Sequence, residues 1–293
     1  MFFYFLFRLG QFLAWILPRS FAYRFAALIC RLKFTLGRKE RVFVINNFRI
    51  ILAQDGKNTY KYARNLYGNF GRYLVDFFRA HQIDRKFVDK FVKIEGRENM
   101  DAALAQGKGA IGLSAHIGNW ELSAQILGVL GYKISVVALV HSNPRIDNFF
   151  NNQRRITGVK VIPVGVSVKQ CFKALKNNEI VGILGDRDFS GKNGILVDFL
   201  GKQMLVPRGP VILSIRTGAP IVPVFVIRDE KNEHYFKYFL NKPIYPQSSS
   251  DAEDNIRQLT QHYVKIIESY VKRYPDQWYV FREFWRAEKV VII

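Results

Sequence analysis

Cysteine is scarce in this sequence of 293 residues, and the two that are present, Cys30 and Cys171, lie far apart. They form no C-x-x-C pair, which excludes the common cysteine-based zinc and dithiol redox motifs. A reducing compartment suits a chain with so little cysteine. The length allows one domain with a sizeable hydrophobic core and a short extension, and the sequence shows no internal repeat or low-complexity linker.

A hydrophobic run of membrane-spanning length is also absent. The most apolar segment, residues 2–17, is shorter than the ~20 residues that span a bilayer. It is interrupted by Arg8 and Gln11 and ends before Pro18. No small-residue cleavage site follows it, so a secretory signal peptide is not expected. Shallow or oblique insertion into a membrane surface is compatible with this segment.

A second N-terminal helix is predicted directly after the first. Ser20 suits its N-cap, and apolar residues recur at helical spacing as far as Lys33, while Arg24 and Arg31 fall elsewhere on the helix. This pattern is typical of a basic amphipathic helix on a membrane surface. We therefore expect residues 1–35 to form membrane-docking helices. Packing of both helices onto the core is the alternative.

Acidic residues are few beside the basic ones, with 24 Asp and Glu against 44 Lys and Arg, a net charge of +20 and a pI near 10.0. Such a charge implies a polyanionic partner, which could be nucleic acid, anionic lipid or a phosphorylated substrate. Aromatic and aliphatic residues interleave with basic ones over residues 1–41, which favours an anionic membrane surface. No helix-turn-helix, zinc finger or RNA-binding aromatic motif is present, so nucleic acid is not expected as a partner.

The remainder of the chain divides into a helical part and an alternating part. Residues 36–93 carry apolar side chains at helical intervals, which predicts a helical cap, and residues 94–293 alternate short apolar runs with helical stretches. This alternation predicts an α/β fold with a mixed, largely parallel central sheet flanked by helices, and a ligand site at the carboxyl ends of its strands. The predicted strands are residues 110–114, 134–139, 159–162, 180–184 and 221–227. The predicted helices are residues 121–129, 145–157, 168–176, 209–217 and 252–272. Residues 247–250 are predicted to form a surface loop.

The segment Ser-Ala-His-Ile-Gly-Asn-Trp-Glu at residues 114–121 follows a predicted strand and opens a predicted helix. Gly118 permits a tight turn, and Glu121 falls in the first helical turn, where the helix dipole favours its charge. We expect Glu121 to fold back onto His116 and orient its ring, so that the other ring nitrogen removes a proton from an attacking alcohol. Helix-terminal N–H groups would stabilise the oxyanion that forms on a thioester. This chemistry needs no nucleophilic Ser or Cys.

Two other interpretations of His116 remain open from the residues alone. A single histidine after a strand is often structural, and a histidine near a glutamate can also bind metal. The spacing differs from the H-E-x-x-H of zinc helices, and the other four histidines form no second ligand pair in the sequence. We therefore expect neither a metal nor a cofactor.

The chain resembles the bacterial lipid A biosynthesis lauroyl/myristoyl acyltransferases, a branch of the lysophospholipid-acyltransferase-like superfamily. The shared motif is H-x-x-x-x-[D/E], here His116 to Glu121 in the context H-x-G-N-W-E. The similarity extends over residues 9–285. Further blocks agree in order and spacing, at residues 143–147 with Arg154 and Gly158 downstream, residues 182–188, residues 197–220 and residues 274–279.

The resemblance implies a glycerol-phosphate-acyltransferase-like fold and an O-acyltransferase on the cytoplasmic face of the inner membrane, held as a monotopic protein or by a single N-terminal anchor. The implied donor is a thioester of acyl carrier protein or CoA, and the implied acceptor is a hydroxyl of a lipid A precursor or related glycolipid. A phosphatidylinositol mannoside-like acceptor and a non-catalytic membrane-surface binding protein are the alternatives.

Several residues become candidates for substrate binding beside the proposed catalytic pair His116 and Glu121. Guanidinium groups bind phosphate bidentately. Basic residues near predicted strand ends and loops are therefore candidates for binding phosphate groups of the donor or the acceptor. Asp186 is expected either to orient Arg187 or to cap a turn. The basic candidates are Arg154, Arg155, Arg187, Lys192, Arg208 and Arg216, with Arg187 and Arg208 the strongest, and Asn119 and Asp186 complete the predicted substrate-binding set.

The sequence departs from the family pattern at two places. Residues 139–141 lack the basic residue that many members carry shortly before Asn143, which weakens any phosphate contact expected there. Arg187 occupies a position where Gln is frequent. The resulting Asp186-Arg187-Asp188 resembles the mannoside acyltransferases of the same superfamily, so the identity of the acceptor stays open.

Overall fold

A computed structural model describes residues 1–53, 56–164, 167–188, 194–246 and 252–285. Lys192 and the predicted loop 247–250 lie outside the described residues.

The N-terminal part is helical, and α4 is the element on which the other helices pack. A Cβ on Gly71 of α4 would lie 2.6 Å from the carbonyl oxygen of Ala26, so glycine allows α2 to approach closely. Pro18 is the N-cap of α2, and the helix already includes Ser20, so the prediction of a Ser20 cap is wrong. The helices before the first strand are α1 (Phe2–Ile16), α2 (Arg19–Leu36), α3 (Arg38–Leu52), α4 (Lys57–Phe78) and α5 (Arg85–Phe91).

The described residues beyond α5 form an α/β unit around a seven-stranded sheet. Its strands are β1 (Val92–Glu95), β2 (Ala110–Ser114), β3 (Ile134–Ala138), β4 (Lys160–Pro163), β5 (Ile180–Leu184), β8 (Ile221–Arg228) and β9 (Phe236–Leu240), while β6 (Gly194–Phe199) and β7 (Lys202–Pro207) pair separately as an antiparallel hairpin. The intervening and final helices are α6 (Arg97–Leu104), α7 (Trp120–Val129), α8 (Pro144–Arg155), α9 (Ser167–Lys176), α10 (Gly209–Thr217) and α11 (Ala252–Arg273).

The strand order is β1-β9-β8-β2-β5-β3-β4, and every neighbouring pair is parallel except β8 with β9. The prediction of a mixed, largely parallel sheet flanked by helices is confirmed. All five residues of β2 are buried, as expected for a central strand covered on both faces. The hydrophobic pattern does not predict β1, β6, β7 and β9. None of these strands is a fully buried run, and β6, β7 and β9 alternate buried with more exposed positions.

The sheet places β2 directly between β5 and β8, although β3 and β4 separate β2 from β5 in the sequence. Ser114 at the end of β2 pairs in register with Leu184 at the end of β5. Loops that leave the carboxyl ends of these two strands therefore start side by side.

Helices α1 and α2 expose most of their large apolar side chains. Trp15 of α1 donates a hydrogen bond to the Phe78 carbonyl at 2.7 Å, and Arg79 donates to the carbonyls of Ala14 and Leu17, which ties α1 to the end of α4. Among the described residues, no helix combines the length and hydropathy that crossing a bilayer would need. The exposed residues on the two helices include Phe2, Phe3, Phe5, Phe12, Ile16, Phe21, Leu28, Ile29 and Leu32.

Candidate active site

A cavity of about 870 Å³ lies beside the carboxyl ends of β2, β3 and β5. Helices α7, α8, α9 and α10 close its sides, and most of its wall is apolar. His116, Glu121 and Arg154 are among its polar lining residues. The cavity therefore combines a few ionisable groups with a long apolar surface, which is typical of a site for a ligand with an apolar tail.

The loop that carries His116 is held by backbone hydrogen bonds on both sides. Gly118 has a φ of +61°, and a Cβ at this position would collide with the carbonyl of Val226. The Gly118 amide donates to the Gln277 carbonyl at 2.8 Å, and the Tyr279 amide donates to the His116 carbonyl at 2.8 Å. Glycine is required here because the loop runs close to β8 in a left-handed turn.

The side chain of His116 is oriented by Asp186. Its Nδ1 lies 2.7 Å from Oδ1 of Asp186, a residue that is fully buried, while the His116 side chain is 18% exposed. A carboxylate at Nδ1 keeps the proton on that nitrogen and the lone pair of the neutral ring on Nε2. The arrangement prepares the ring to accept a proton at Nε2.

Asp186 is itself fixed by two further residues. The indole Nε1 of Trp278 donates to Oδ2 of Asp186 at 3.0 Å, and Nε of Arg187 lies 3.2 Å from the same oxygen. Burial alone would raise the pKa of Asp186, but the charges of His116 and Arg187 and the hydrogen bonds from His116 and Trp278 outweigh burial and hold this pKa well below its ordinary value. The carboxyl group is therefore ionised at neutral pH.

Glu121 does not fold back onto His116 as the sequence predicts. Both of its carboxylate oxygens accept hydrogen bonds from Arg154 of α8, at 2.6 and 2.9 Å. Burial alone would lower the pKa of Arg154, but the charge of Glu121 and the hydrogen bonds to it outweigh burial and raise this pKa. The prediction that Glu121 orients His116 is wrong. The carboxylate that contacts His116 is that of Asp186, which follows the neighbouring parallel strand β5.

Asn119 stabilises the loop that carries His116 and does not line the cavity. It is 2% exposed, is not a lining residue, and caps α7 by accepting a hydrogen bond from the Leu122 amide at 3.0 Å. Its side-chain amide donates to Asp76 at 3.2 Å. The prediction that Asn119 binds substrate is therefore replaced by a positioning role at the start of α7.

Asp76 of α4 links α2 to this loop. Besides Asn119, it accepts hydrogen bonds from Tyr23 of α2 and from Arg228 at the end of β8, and Arg19 approaches it at 3.3 Å. Burial, followed by the charge of Asp76, raises the pKa of Tyr23 to about 12, so this hydroxyl stays protonated and donates. The network connects α2, α4, β8 and α7 at one buried point.

The remaining basic candidates have different surroundings. Arg187 lines the cavity, yet its guanidinium donates to the Tyr279 carbonyl at 2.7 Å and pairs with Asp186, so these protein groups already occupy part of it. Arg208 lines the cavity while paired with Glu253 of α11. Arg216 also lines the cavity, whereas Arg155 is exposed on α8 beside Asn152 and is not a lining residue.

Comparison with known proteins adds the family. Residues 1–287 match the family described as "Bacterial lipid A biosynthesis acyltransferase". The chain belongs to this family. A phosphatidylinositol mannoside acyltransferase of Mycobacterium tuberculosis (strain ATCC 25618 / H37Rv) is 26% identical over 226 residues, which cover 75% of this chain and 69% of that protein. The lipid A biosynthesis palmitoleoyltransferase of Escherichia coli (strain K12) is 24% identical over 199 residues, which cover 67% of this chain and 62% of that protein.

Among solved structures, the 1-acyl-sn-glycerophosphate acyltransferase PlsC from Thermotoga maritima aligns with a TM-score of 0.41 and 14% identity, over 90% of this chain and all of that chain. The family match makes the protein an acyltransferase of the lipid A and glycolipid type.

Sequence reasoning missed three contributors to the site. The orienting role of Asp186, the indole of Trp278 that holds it, and Tyr73 of α4, which lines the cavity, all come from elements distant in sequence. A weak signal existed for Asp186: it follows the predicted strand 180–184 by two residues, as His116 follows the predicted strand 110–114 by two residues.

Proposed function

We propose that this acyltransferase transfers a fatty acyl chain from an acyl thioester to a hydroxyl of a glycolipid at a membrane surface, with His116 as the general base. The observation that carries the proposal is the 2.7 Å contact between His116 Nδ1 and the buried, ionised Asp186, at the wall of an apolar cavity. The pair supplies an oriented base without a nucleophilic Ser or Cys.

The reaction proceeds in two steps that balance. Nε2 of His116 takes the proton of the acceptor hydroxyl while its oxygen forms a bond to the thioester carbonyl carbon, and the carbonyl electrons move to the oxygen. The tetrahedral intermediate then collapses, the carbon–sulfur bond breaks, and the sulfur leaves with the proton returned from His116. The ionised carboxylate of Asp186 stabilises the imidazolium between the two steps.

The acyl chain fits the apolar part of the cavity. Gly112 of β2 and Gly182 of β5 are register partners, and both line the cavity. Because neither has a side chain, an acyl chain can lie directly against the sheet backbone there. Further in, Leu127, Ile134 and Val224 form apolar walls. The methylene groups of a fatty acid gain about 0.8 kcal/mol each on such burial.

Attachment to a membrane is supported by α1 and α2. Phe2, Phe5 and Phe12 of α1 are each more than half exposed, although the opposite side of the helix packs on α4 through Ala14. An exposed apolar surface of this kind, together with the net charge of +20, suits an anionic membrane. We place the protein on the cytoplasmic face of the inner membrane.

The acceptor is a glycolipid hydroxyl, and two types deserve testing. A lipid A precursor follows from the family, and a mannoside-type glycolipid follows from the Asp186-Arg187-Asp188 segment and from the mannoside acyltransferases among the relatives. Acyl carrier protein and CoA are the two candidate carriers of the donor thioester. A non-catalytic binding role is less compatible with an ordered His116–Asp186 pair beside the cavity.

The test uses the purified full-length chain in detergent, with acyl-CoA or acyl carrier protein donors and both acceptor types, and mass spectrometry of the products. The His116→Ala variant should lose transfer by about a thousandfold, in line with removal of a positioned base. His262→Ala is the matched control, because His262 is exposed on α11 and does not line the cavity. Transfer retained in His116→Ala, with folding unchanged, would overturn the mechanism.

The acceptor itself is identified in cells. Total glycolipids from cells with and without the protein are compared by mass spectrometry, and the cells without it should accumulate a species lighter by one acyl group. If no glycolipid changes, the proposed acceptor class is wrong.

A further inference from the structure

A second cavity of about 650 Å³ lies between α2, α4, the turn joining β8 to β9, and the segment that follows α11. It shares no lining residue with the cavity that contains His116. Its described lining includes seven Lys and Arg residues and four Asp and Glu residues. The excess of positive charge in a concave, polar site favours an anionic ligand.

Part of the acidic charge in this cavity is already neutralised by protein cations. Arg72 donates to Glu233 at 2.7 Å, and Lys237, which is not a lining residue, pairs with Asp229 at 3.6 Å. Of the seven lining cations, Arg72 pairs with Glu233 and Arg228 pairs with Asp76 outside the lining. The described residues show no ion pair with an acid for the other five, Arg24, Arg31, Lys61, Lys231 and Arg273. The positive charge of the cavity is therefore not cancelled by its own acids.

Arg31 is the residue best placed to hold an anion. It is half-buried, and within the described chain its Nε has no hydrogen-bond partner. Burial, followed by the charges of Arg72 and Arg64, lowers the pKa of Arg31, although the charge of Glu233 acts in the opposite direction. A buried guanidinium nitrogen without an acceptor is costly unless a ligand supplies one.

Helix α4 provides room for this guanidinium. A Cβ on Gly68 would lie 2.8 Å from Nε and 3.1 Å from Nη2 of Arg31, so the absence of a side chain at Gly68 lets the guanidinium lie against the helix. Glycine in the interior of a helix costs about 1 kcal/mol relative to alanine. Gly68 therefore makes α4 less stable than alanine would, at the position where the Arg31 guanidinium packs against the helix.

The position of the cavity indicates where its ligand comes from. Ser20, Arg24 and Arg31 of α2 line it, and Phe21 and Leu28 lie next to them on the surface of the same helix, at 55% and 64% exposure. Cations that border an exposed apolar stripe match the boundary between lipid phosphates and acyl chains.

We propose that this cavity, bounded by α2 and α4, binds the phosphate ester of an anionic phospholipid headgroup, separately from the reaction cavity. The lipid source rests on the proposed attachment to a membrane, whereas the preference for a phosphate ester rests on the cavity alone. Arg31, with Arg24 beside it on α2, contacts the phosphate oxygens by charge-assisted hydrogen bonds.

The experiment measures binding of the full-length chain to phosphatidylcholine vesicles with and without phosphatidylglycerol, by co-sedimentation. Arg31→Gln should weaken binding to the anionic vesicles about tenfold, as expected for loss of a hydrogen-bonded charge. Gly68→Ala keeps every charge but displaces the guanidinium, and it should weaken binding several-fold. Lys33→Gln is the matched control, because Lys33 is on α2 but does not line the cavity.

Each outcome has a definite meaning. If Gly68→Ala binds like the wild type while Arg31→Gln and Lys33→Gln weaken binding equally, the attraction is diffuse and the proposal is wrong. If the Arg31 and Gly68 variants lose binding of glycerol 3-phosphate in solution but not of vesicles, the cavity takes a soluble phosphate ester and the lipid source is wrong. Alanine favours a helix, so thermal unfolding of Gly68→Ala should show no loss of stability.

Acyl transfer in detergent separates this proposal from the proposed function. The Arg31 and Gly68 variants should transfer acyl chains at the wild-type rate to detergent-dispersed acceptor, since neither residue lines the reaction cavity. A wild-type protein that fails to transfer at all would count against the proposed reaction, but not against phosphate binding.

Discussion

His116 and Asp186 occupy equivalent positions on two adjacent parallel strands. Each follows by two residues the end of its strand, and those ends, Ser114 and Leu184, are register partners. Parallel pairing therefore brings the two side chains to the same edge of the sheet, where they meet at 2.7 Å. The geometry of the His116–Asp186 pair is a consequence of sheet register more than of the motif that contains His116.

Replacing Asp186 by Asn should reduce the rate of transfer by about three to four orders of magnitude, because an amide does not hold the required tautomer or stabilise the imidazolium. The measurement is kcat with saturating donor in detergent. Asp198→Asn, at an exposed position on β6, is the control. A kcat for Asp186→Asn within a factor of ten of the wild type would assign the orienting role to another group.

The Glu121–Arg154 pair should behave differently in stability and in activity. Glu121→Gln leaves the largely buried charge of Arg154 unpaired, so the free energy of unfolding should fall by about 3 kcal/mol. Combining it with Arg154→Gln should recover most of that loss, because no unpaired charge remains. Transfer should not recover, since both charged groups line the cavity beside His116. Urea unfolding and transfer assays on the two single variants and the double variant decide this, and recovery of transfer in the double variant would show a purely structural pair.

Gly182→Val should shift the donor preference toward shorter acyl chains. A Cβ at Gly182 would already lie 3.0 Å from Val136, so added methyl groups occupy cavity space next to Gly112. Each methylene excluded from the cavity costs about 0.8 kcal/mol, which is roughly a fourfold loss in kcat/KM for long donors. Short-chain donors are the internal control, because their transfer should hardly change. An equal loss for all chain lengths would place the acyl chain elsewhere.

The stability of the protein should respond to Asp276 between pH 4 and 6. Burial, followed by the charge of Glu230, raises the pKa of Asp276 from 3.8 to about 6. In this window Asp276 is protonated in the folded chain and ionised in the unfolded chain. The free energy of unfolding therefore falls as the pH rises, and this loss is complete above the pKa of the folded chain. Asp276→Asn should therefore be more stable than the wild type above pH 6, and the difference should vanish near pH 4. Urea unfolding over this range tests it, and a difference that is independent of pH would contradict the assignment.

Local sequence signals were sufficient for most of the regular structure. The predicted strands 110–114 and 180–184 and the helix 209–217 agree with the observed bounds, because each is a dense apolar run or a helix entered at a proline and ended at a glycine. The hairpin of β6 and β7 was missed, because its strands alternate buried with more exposed positions and pair only with each other. Such strands owe their formation to the partner strand rather than to their own composition.

The sequence by itself determined the α/β class, the family, the basic amphipathic N-terminus and the choice of His116, because each depends on composition, periodicity or a short motif. Only the tertiary structure decided that Asp186 orients His116, that Glu121 pairs with Arg154, and that Asn119 supports the loop. The reason is that these contacts join residues 33 to 70 positions apart. The order of strands in the sheet brings Asp186 to His116, and the packing of α8 and α4 against α7 brings together the other two pairs. No local pattern encodes either arrangement.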